Sequence, residues 1–336
     1  MSRLDRIRQN SFVIIGRAGM DFYADPPGTR TEDAARFVAC LGGSSANIGA
    51  AITRHGGKAA LVTAVSDDAI GRYCRNQLAH YGIDATHVRS VGGEARNSLA
   101  VVESRVEDHQ SIIYRNSAAD FEMTVADVEA VNYAAYGALI TTGTVFAAEP
   151  SRSAAFRGFE LARDAGLPII FDIDYRPYSW PSPEVASDVY SRAGALCDIV
   201  VGNDDEFGFM AGGKDKGFAK ARDLARSTAS IVVYKMGEHG AVTLTAEHEI
   251  HTGIYPVTAL KPTGAGDAFL GGFIAAFAEG RELKDCVLHG SASAAIVVAK
   301  VGCAPAMPDR HELAAFLAGH PGPTDPERSR HAHSAV

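Results

Sequence analysis

Short apolar runs rich in β-branched residues recur along this chain at 12–15, 59–65, 138–141, 168–171, 198–201 and 231–233. None alternates apolar with polar, so each needs cover on both faces, as the inner strands of a parallel sheet have. Between the later runs, 150–165, 183–196 and 218–226 carry apolar residues at helical period. Doubly covered strands alternating with helices specify an α/β three-layer architecture. The 34 glycines, spread evenly, suit a fold with many strand-to-helix turns.

One region breaks that rhythm. Residues 98–104 and 111–115 read as two strands joined by the polar turn 106–109, a hairpin set apart from the parallel sheet and suited to act as a small lid. Residues 25–31 form a second irregular excursion, after the first strand. The segment 321–336, rich in Pro, His, Ser and charge, reads as a disordered tail behind a single domain over 1–320.

Composition removes several function classes. Hydrophobic residues make up 46% and charged residues 21% of 336, too apolar for a disordered chain. Lys and Arg total 32 against 40 Asp and Glu, a net charge of -8 with no local basic patch, which excludes a nucleic-acid partner. No apolar run approaches the roughly 18 residues of a membrane span, and none near the N-terminus has signal-peptide length, so a cytoplasmic protein without a membrane partner is expected. The five cysteines are odd in number and scattered, as for buried thiols in a reducing compartment. The 12 histidines show no H-x-x-x-H spacing, so no zinc site is expected.

The segment richest in chemistry is Lys261-Pro-Thr-Gly-Ala-Gly-Asp267 with the helix it opens. Phe269, Leu270, Phe273, Ile274 and Phe277 share one helical face, which sets 263–266 at a helix N-terminus. Uncrowded amides at Gly264, Ala265 and Gly266, together with the positive end of the helix dipole, make an anion site. Asp267 repels such an anion. The conflict resolves if the anion is a migrating phosphoryl group and Asp267 takes the proton of the attacking hydroxyl. The plainer alternative is an acidic residue placed by the helix dipole, and this segment alone leaves the two about even. No Walker A loop and no G-x-G-x-x-G occurs, which weakens a P-loop enzyme and a dinucleotide oxidoreductase.

A second segment, Gly42-Gly-Ser-Ser-Ala-Asn47, offers close backbone approach and polar side chains at another helix start. It suits the hydroxyls of a polyol, and equally a capped helix packed through small residues. Residues 236–240 read as a tight turn between two strands.

The GG-x-x-x-N element followed by the GAGD helix resembles the ribokinase-like (PfkB) family of sugar kinases, over about 12–317. The resemblance implies a ribokinase-like α/β/α fold around a Rossmann-like sheet, with a small β-strand lid from about 17–40 and 92–116. It also implies ATP with Mg²⁺ as donor, a sugar hydroxymethyl as acceptor and Asp267 as base. On the same resemblance Asp21, Gly43 and Asn47 hold substrate hydroxyls. Asn203 and Glu206 are similar to an N-x-x-E element that organises Mg²⁺ through water, with Asn203 also at the nucleotide. Lys235, Gly237, Gly240, Lys261, Thr263 and Ser291 fall at positions that border the nucleotide in that family. A lid of this kind also implies a homodimer.

Within the family, 16–21, 94–97, 113–115 and 172–180 are similar to kinases of a keto-sugar acid. Kinases for 2-keto-3-deoxygluconate, fructose or ribose, or a catalytically silent sugar or nucleotide sensor, are the alternatives. A carboxylate suits a guanidinium fork, and Arg115 on the lid and Arg176 after a core strand are the candidates. Many members carry Asp six positions before the catalytic one, where it helps hold a monovalent cation. That position is Lys261 here, so activity without K⁺ is expected. Asp174, where Asn is common, has no assigned role.

Overall fold

The computed structural model describes residues 2–325; 326–336, most of the segment read as a tail, lie outside the described part. The end of the described chain is docked, since Thr324 N donates to Ile254 O at 2.8 Å and Thr324 Oγ1 accepts from Ile254 N at 3.0 Å.

Thirteen strands among the described residues form two sheets. In chain order they begin with β1 (Ser11–Ile15), β2 (Gly19–Asp25), β3 (Arg36–Gly42), β4 (Lys58–Ser66) and β5 (Val88–Val91). They continue with β6 (Leu99–Val102), β7 (Ser111–Tyr114), β8 (Ala138–Thr142), β9 (Ile169–Asp172) and β10 (Ile199–Asn203). The last are β11 (Ile231–Lys235), β12 (Ala241–Leu244) and β13 (Glu249–Thr252). The large sheet has the order β13-β12-β11-β10-β9-β8-β1-β4-β5. It is parallel from β11 to β5, and β12 and β13 add an antiparallel edge.

The six apolar runs become β1, β4, β8, β9, β10 and β11, and both faces of these strands are covered. Val13, Ile15, Leu139, Phe171, Val200 and Val232 pack to one side with the helices Ser151–Asp164, Pro183–Gly194 and Gly217–Ser227. Phe12, Ile14, Leu61, Ile140, Val201 and Val233 pack to the other with Ser44–Arg54, Ala265–Ala278 and Leu283–Val298. Each such side chain, fully buried, contributes roughly 1.5–3 kcal/mol. Among the described residues no helix is long and apolar enough to cross a membrane.

The lid has four strands, β2 and β3 as well as the two of the 98–115 hairpin. β2 and β3 flank the 25–31 excursion as an antiparallel pair, and β6 joins β2 in parallel, giving the order β3-β2-β6-β7. The inner face, with Tyr23, Cys40, Ala100 and Val102, forms its own small core. On the outer face the register aligns Phe22, Phe37, Ala39, Leu99, Val101, Ile112 and Tyr114, and none of these is buried.

Candidate active site

Two glycines start two helices whose first turns meet. Gly43 (φ 91°) precedes Ser44–Arg54 and Gly264 (φ 85°) precedes Ala265–Ala278, each in the left-handed region that side chains disfavour. The helices approach through small residues: a Cβ on Gly271 would come within 2.3 Å of the Ala51 Cβ. That spacing lets Ser44 Oγ donate to Asp267 Oδ1 at 2.6 Å and Asn47 Nδ2 donate to Oδ2 at 2.9 Å. Asp267 thus joins the two glycine-rich segments and remains half-buried, not sealed in the core.

Burial, then repulsion from Asp174, pushes the Asp267 pKa up to about 6, against the hydrogen bonds of Ser44 and Asn47 and the charge of Arg176. Such a carboxylate is ionised at pH 7 yet basic enough to accept a hydroxyl proton. Ala268 N donates to Gly264 O at 3.0 Å, so the amides of Ala265, Gly266 and Asp267 have no partner within the helix. Lys235, at the end of β11, flanks them; its Nζ lies 3.6 Å from where a Cβ on Gly266 would stand. Thr263 Oγ1 is buried without a partner among the described residues. Unpaired amides, an ammonium and an unpartnered hydroxyl form a donor set that fits phosphate oxygens.

Asp21 on β2 is buried, and its carboxylate rests against Gly42, where a Cβ would come within 1.9 Å of Oδ1. Burial raises its pKa to about 6, with Arg17 opposing and Asp267 adding to the rise. The first glycine of the GG pair is therefore a steric requirement of Asp21, and the second starts the helix.

Asn203 and Glu206 have a local structural role. Asn203 Oδ1 accepts from Glu206 N at 2.9 Å and Glu206 Oε2 accepts from Asn203 N at 2.8 Å, a capping box on the helix Asp204–Met210. Glu206 is also buried near Asp172 and Lys235; burial pushes both acids up and Lys235 pulls them back. Among the described residues no three His, Cys, Asp or Glu side chains are grouped to hold a metal alone. A divalent ion at this place would draw its other ligands from phosphate oxygens and water.

Gly237 borders open space, whereas Gly240 serves the hairpin: a Cβ there would come within 2.1 Å of Thr252 O. Ser291 is half-buried on Leu283–Val298, the helix that packs against Ala265–Ala278. Lys261 departs from expectation. It is fully buried behind the loop, its Nζ donating to Thr263 O at 2.5 Å and Val297 O at 3.4 Å, so it does not border a nucleotide. Burial lowers its pKa, and Cys303, Asp267 and Asp21 oppose that.

Both arginines expected at the carboxylate are already paired. Arg115 lies just past β7, buried in an ion pair with Asp120, bonded to Thr144 O at 3.0 Å and stacked over Phe121. Arg176 pairs with Asp174 at 2.7 Å and donates to Tyr175 O at 3.0 Å. A neutralised guanidinium offers a ligand no net charge. Asp174 itself has φ 38°, a conformation that Asn and Asp tolerate better than most residues, which explains why this short polar type stands there. Arg17, absent from the expected set, is buried at the carboxyl end of β1. Its place was the available signal, because sites in open α/β sheets gather at that end of the strands.

Residues 9–310 match the model of the pfkB family of carbohydrate kinases. Over 319 residues the chain is 37% identical to a 5-dehydro-2-deoxygluconokinase from Photobacterium profundum, spanning 94% of this chain and 96% of that one. A 5-dehydro-2-deoxygluconokinase from Geobacillus kaustophilus is 32% identical over 321 residues, with 94% and 96% spanned. A solved double-mutant fructokinase from Vibrio cholerae O395, bound to fructose, ADP and a potassium ion, has a TM-score of 0.80 at 25% identity, covering 91% of this chain and 98% of that one. Similarity that runs nearly end to end, beyond any shared motif, makes this chain a member of the pfkB family of carbohydrate kinases.

Proposed function

We propose that this kinase transfers the γ-phosphoryl group of ATP to the terminal hydroxymethyl of 5-dehydro-2-deoxy-D-gluconate, forming 6-phospho-5-dehydro-2-deoxy-D-gluconate and ADP. The observation that carries the reaction type is the clasp of Ser44 and Asn47 on Asp267 beside three unpaired helix amides. The acceptor follows the relatives named for it. Asp267 takes the hydroxyl proton as the hydroxyl oxygen bonds to phosphorus and the bond to the ADP oxygen breaks. The amides after Gly264, with Ala265 and Gly266 foremost, stabilise charge on the moving group, and Lys235 adds a positive charge.

Asp21, Gly43 and Asn47 hold acceptor hydroxyls, while Asn203, Gly237, Thr263 and Ser291 border the nucleotide. Asn203 and Glu206 would hold Mg²⁺ through water, and the ion would supply neutralisation of phosphate charge. Lys261 provides a fixed positive charge behind the anion loop, and activity needs no K⁺. Lid closure excludes water from the reaction. The apolar outer face of the lid supports a homodimer, and five free, buried cysteines suit a cytoplasmic setting.

A coupled ADP-release assay over this keto acid, 2-keto-3-deoxygluconate, fructose and ribose tests the reading. One strongly preferred acceptor, the keto acid, is expected. Neutral sugars turned over equally well would overturn the acceptor and leave the kinase.

A further inference from the structure

We infer that Arg17 reads the acceptor's carboxylate, forming an acid-binding subsite at the base of the lid; this rests on the acid-acceptor reading above. Only Arg17 and Arg115 are buried among the described arginines, and Arg115 has its counter-ion in Asp120. Arg17 is 7% exposed, and among the described residues it has no carboxylate oxygen within 4.0 Å and its Nε has no partner. A buried guanidinium with an unused donor and no ion pair is costly to keep unless a ligand supplies the anion.

The position is built. Arg17 Nη1 donates to Ser98 Oγ at 3.0 Å, and Arg17 O accepts from Ala46 N at 3.3 Å in the first turn of Ser44–Arg54. Ser98 in turn sits at the foot of β6, where its carbonyl accepts from Met20 N at 3.2 Å. Neighbouring Asn97 clamps this foot to the main sheet, accepting from Ser66 N at 2.6 Å and donating to Ala18 O at 3.2 Å. Lid and site helix therefore meet at Arg17, the lid at its guanidinium and the helix at its carbonyl, and Asn97 ties the adjoining foot of the lid to the main sheet.

The chemistry of the acceptor selects this end of the site. Its carboxylate and its reacting hydroxymethyl are at opposite ends of one carbon chain, so the acid reader must stand away from the base. Arg176 acts electrostatically on Asp267 and Glu206, at the phosphoryl end. Arg17 instead acts on Asp21 and, with Arg176 and Arg115, on the exposed phenol of Tyr178. Asp21 feels the charges of both Arg17 and Asp267, which suits a residue that holds a hydroxyl of an acceptor reaching from one to the other.

The test measures kcat/KM of the wild type and of Arg17→Gln for 5-dehydro-2-deoxygluconate, for D-gluconate, and for the keto acid's methyl ester. Arg17→Gln should lose about 100-fold on the acids, mostly in KM, and within threefold on the ester. Arg115→Gln and Arg176→Gln should not penalise the acids selectively. Ser98→Ala, which frees Nη1 without removing the charge, should raise the acid KM several-fold and decides the matter if Arg17→Gln does not fold. Equal losses on acid and ester, or acid-selective loss only in Arg115→Gln or Arg176→Gln, would overturn Arg17 while the acceptor stands. A wild type that phosphorylates gluconate but not the keto acid would overturn the acceptor, and an Arg17-dependent acid preference would still support the subsite. A wild type with no acid preference overturns both.

Discussion

Asn47 donates to Asp267 across 220 positions of sequence, a 2.9 Å hydrogen bond that ties the helix start of one glycine-rich segment to that of the other. With the Ser44 bond it fixes both carboxylate oxygens, so the orientation of this carboxylate is set before any substrate arrives.

Asp267→Asn should lower kcat by roughly 10²–10⁴, the scale of losing a general base, while ATP binding measured by calorimetry stays within a few-fold. It should also make the protein more stable at pH 7–8. The folded carboxyl, at about 6, holds its proton more tightly than the ordinary value of 3.8. The stability linked to that proton is present at low pH and lost as pH rises through about 6. The mutant lacks this loss, so its melting-temperature advantage should vanish below about pH 4. An unchanged melting temperature at pH 8 contradicts the burial account of the pKa.

Asn47→Ala removes a donor that favours the ionised form of Asp267. The acidic limb of the kcat/KM profile, expected near pH 6 in the wild type, should move to higher pH by roughly one unit. Ser44→Ala should act in the same direction. A downward shift in either mutant indicates that some other group controls the limb.

The parallel sheet was legible because its strands are apolar on both faces and few other environments accept such runs. β5 (Val88-Arg-Ser-Val91) and β13 (Glu249-Ile-His-Thr252) escaped notice because edge strands face water and carry polar residues. Local pattern showed only part of the lid: the 98–115 hairpin reads as two apolar runs around a polar turn, whereas the strands within 17–40 followed from the family resemblance alone, since β3 comes after a Pro-rich excursion and is ordered by pairing with β2. Asp267 and its loop could be read from local spacing. The Ser44–Asp267 bond could not, because it depends on how closely Gly271 lets two helices approach. Arg115 and Arg176 looked available because sequence does not reveal that Asp120 and Asp174 neutralise them.

Replacing KCl with choline chloride at constant ionic strength should change the wild-type rate by less than about twofold, since the Lys261 ammonium already binds Thr263 O and Val297 O. Lys261→Met keeps the volume and removes the charge, leaving Thr263 O without its donor at about 1–3 kcal/mol of stability, whereas Val297 O keeps its bond from Lys300 N. Its kcat should fall roughly tenfold or more as the anion loop loses a nearby positive charge. A marked K⁺ stimulation of the wild type would sink the proposal.

Gly42→Ala is expected to act through Asp21. The added methyl would lie 1.9 Å from Asp21 Oδ1, so the carboxylate must move, and overpacking of this kind costs about 1–3 kcal/mol. Acceptor KM should rise about tenfold while ATP KM stays constant, because the role proposed for Asp21 is on the sugar side. Parallel rises in both constants, read from initial-rate matrices, would show that the change spreads to the nucleotide end.

The outer face of the lid gives the last prediction. Phe37 and Tyr114 remain 40% and 60% exposed, with Phe22, Leu99, Val101 and Ile112 beside them on the same face. A continuous apolar sheet face is unfavourable in water, and a second lid can cover it with matching chemistry. Sedimentation of the wild type should therefore give a dimer, and the double mutant Phe37→Asp, Tyr114→Asp a monomer with an intact main sheet by circular dichroism. Because both residues lie away from Asp267, the monomer should keep kcat within a few-fold unless lid pairing also controls closure, which a raised acceptor KM would report. A wild-type monomer at micromolar concentration would rule out the lid as the dimer contact.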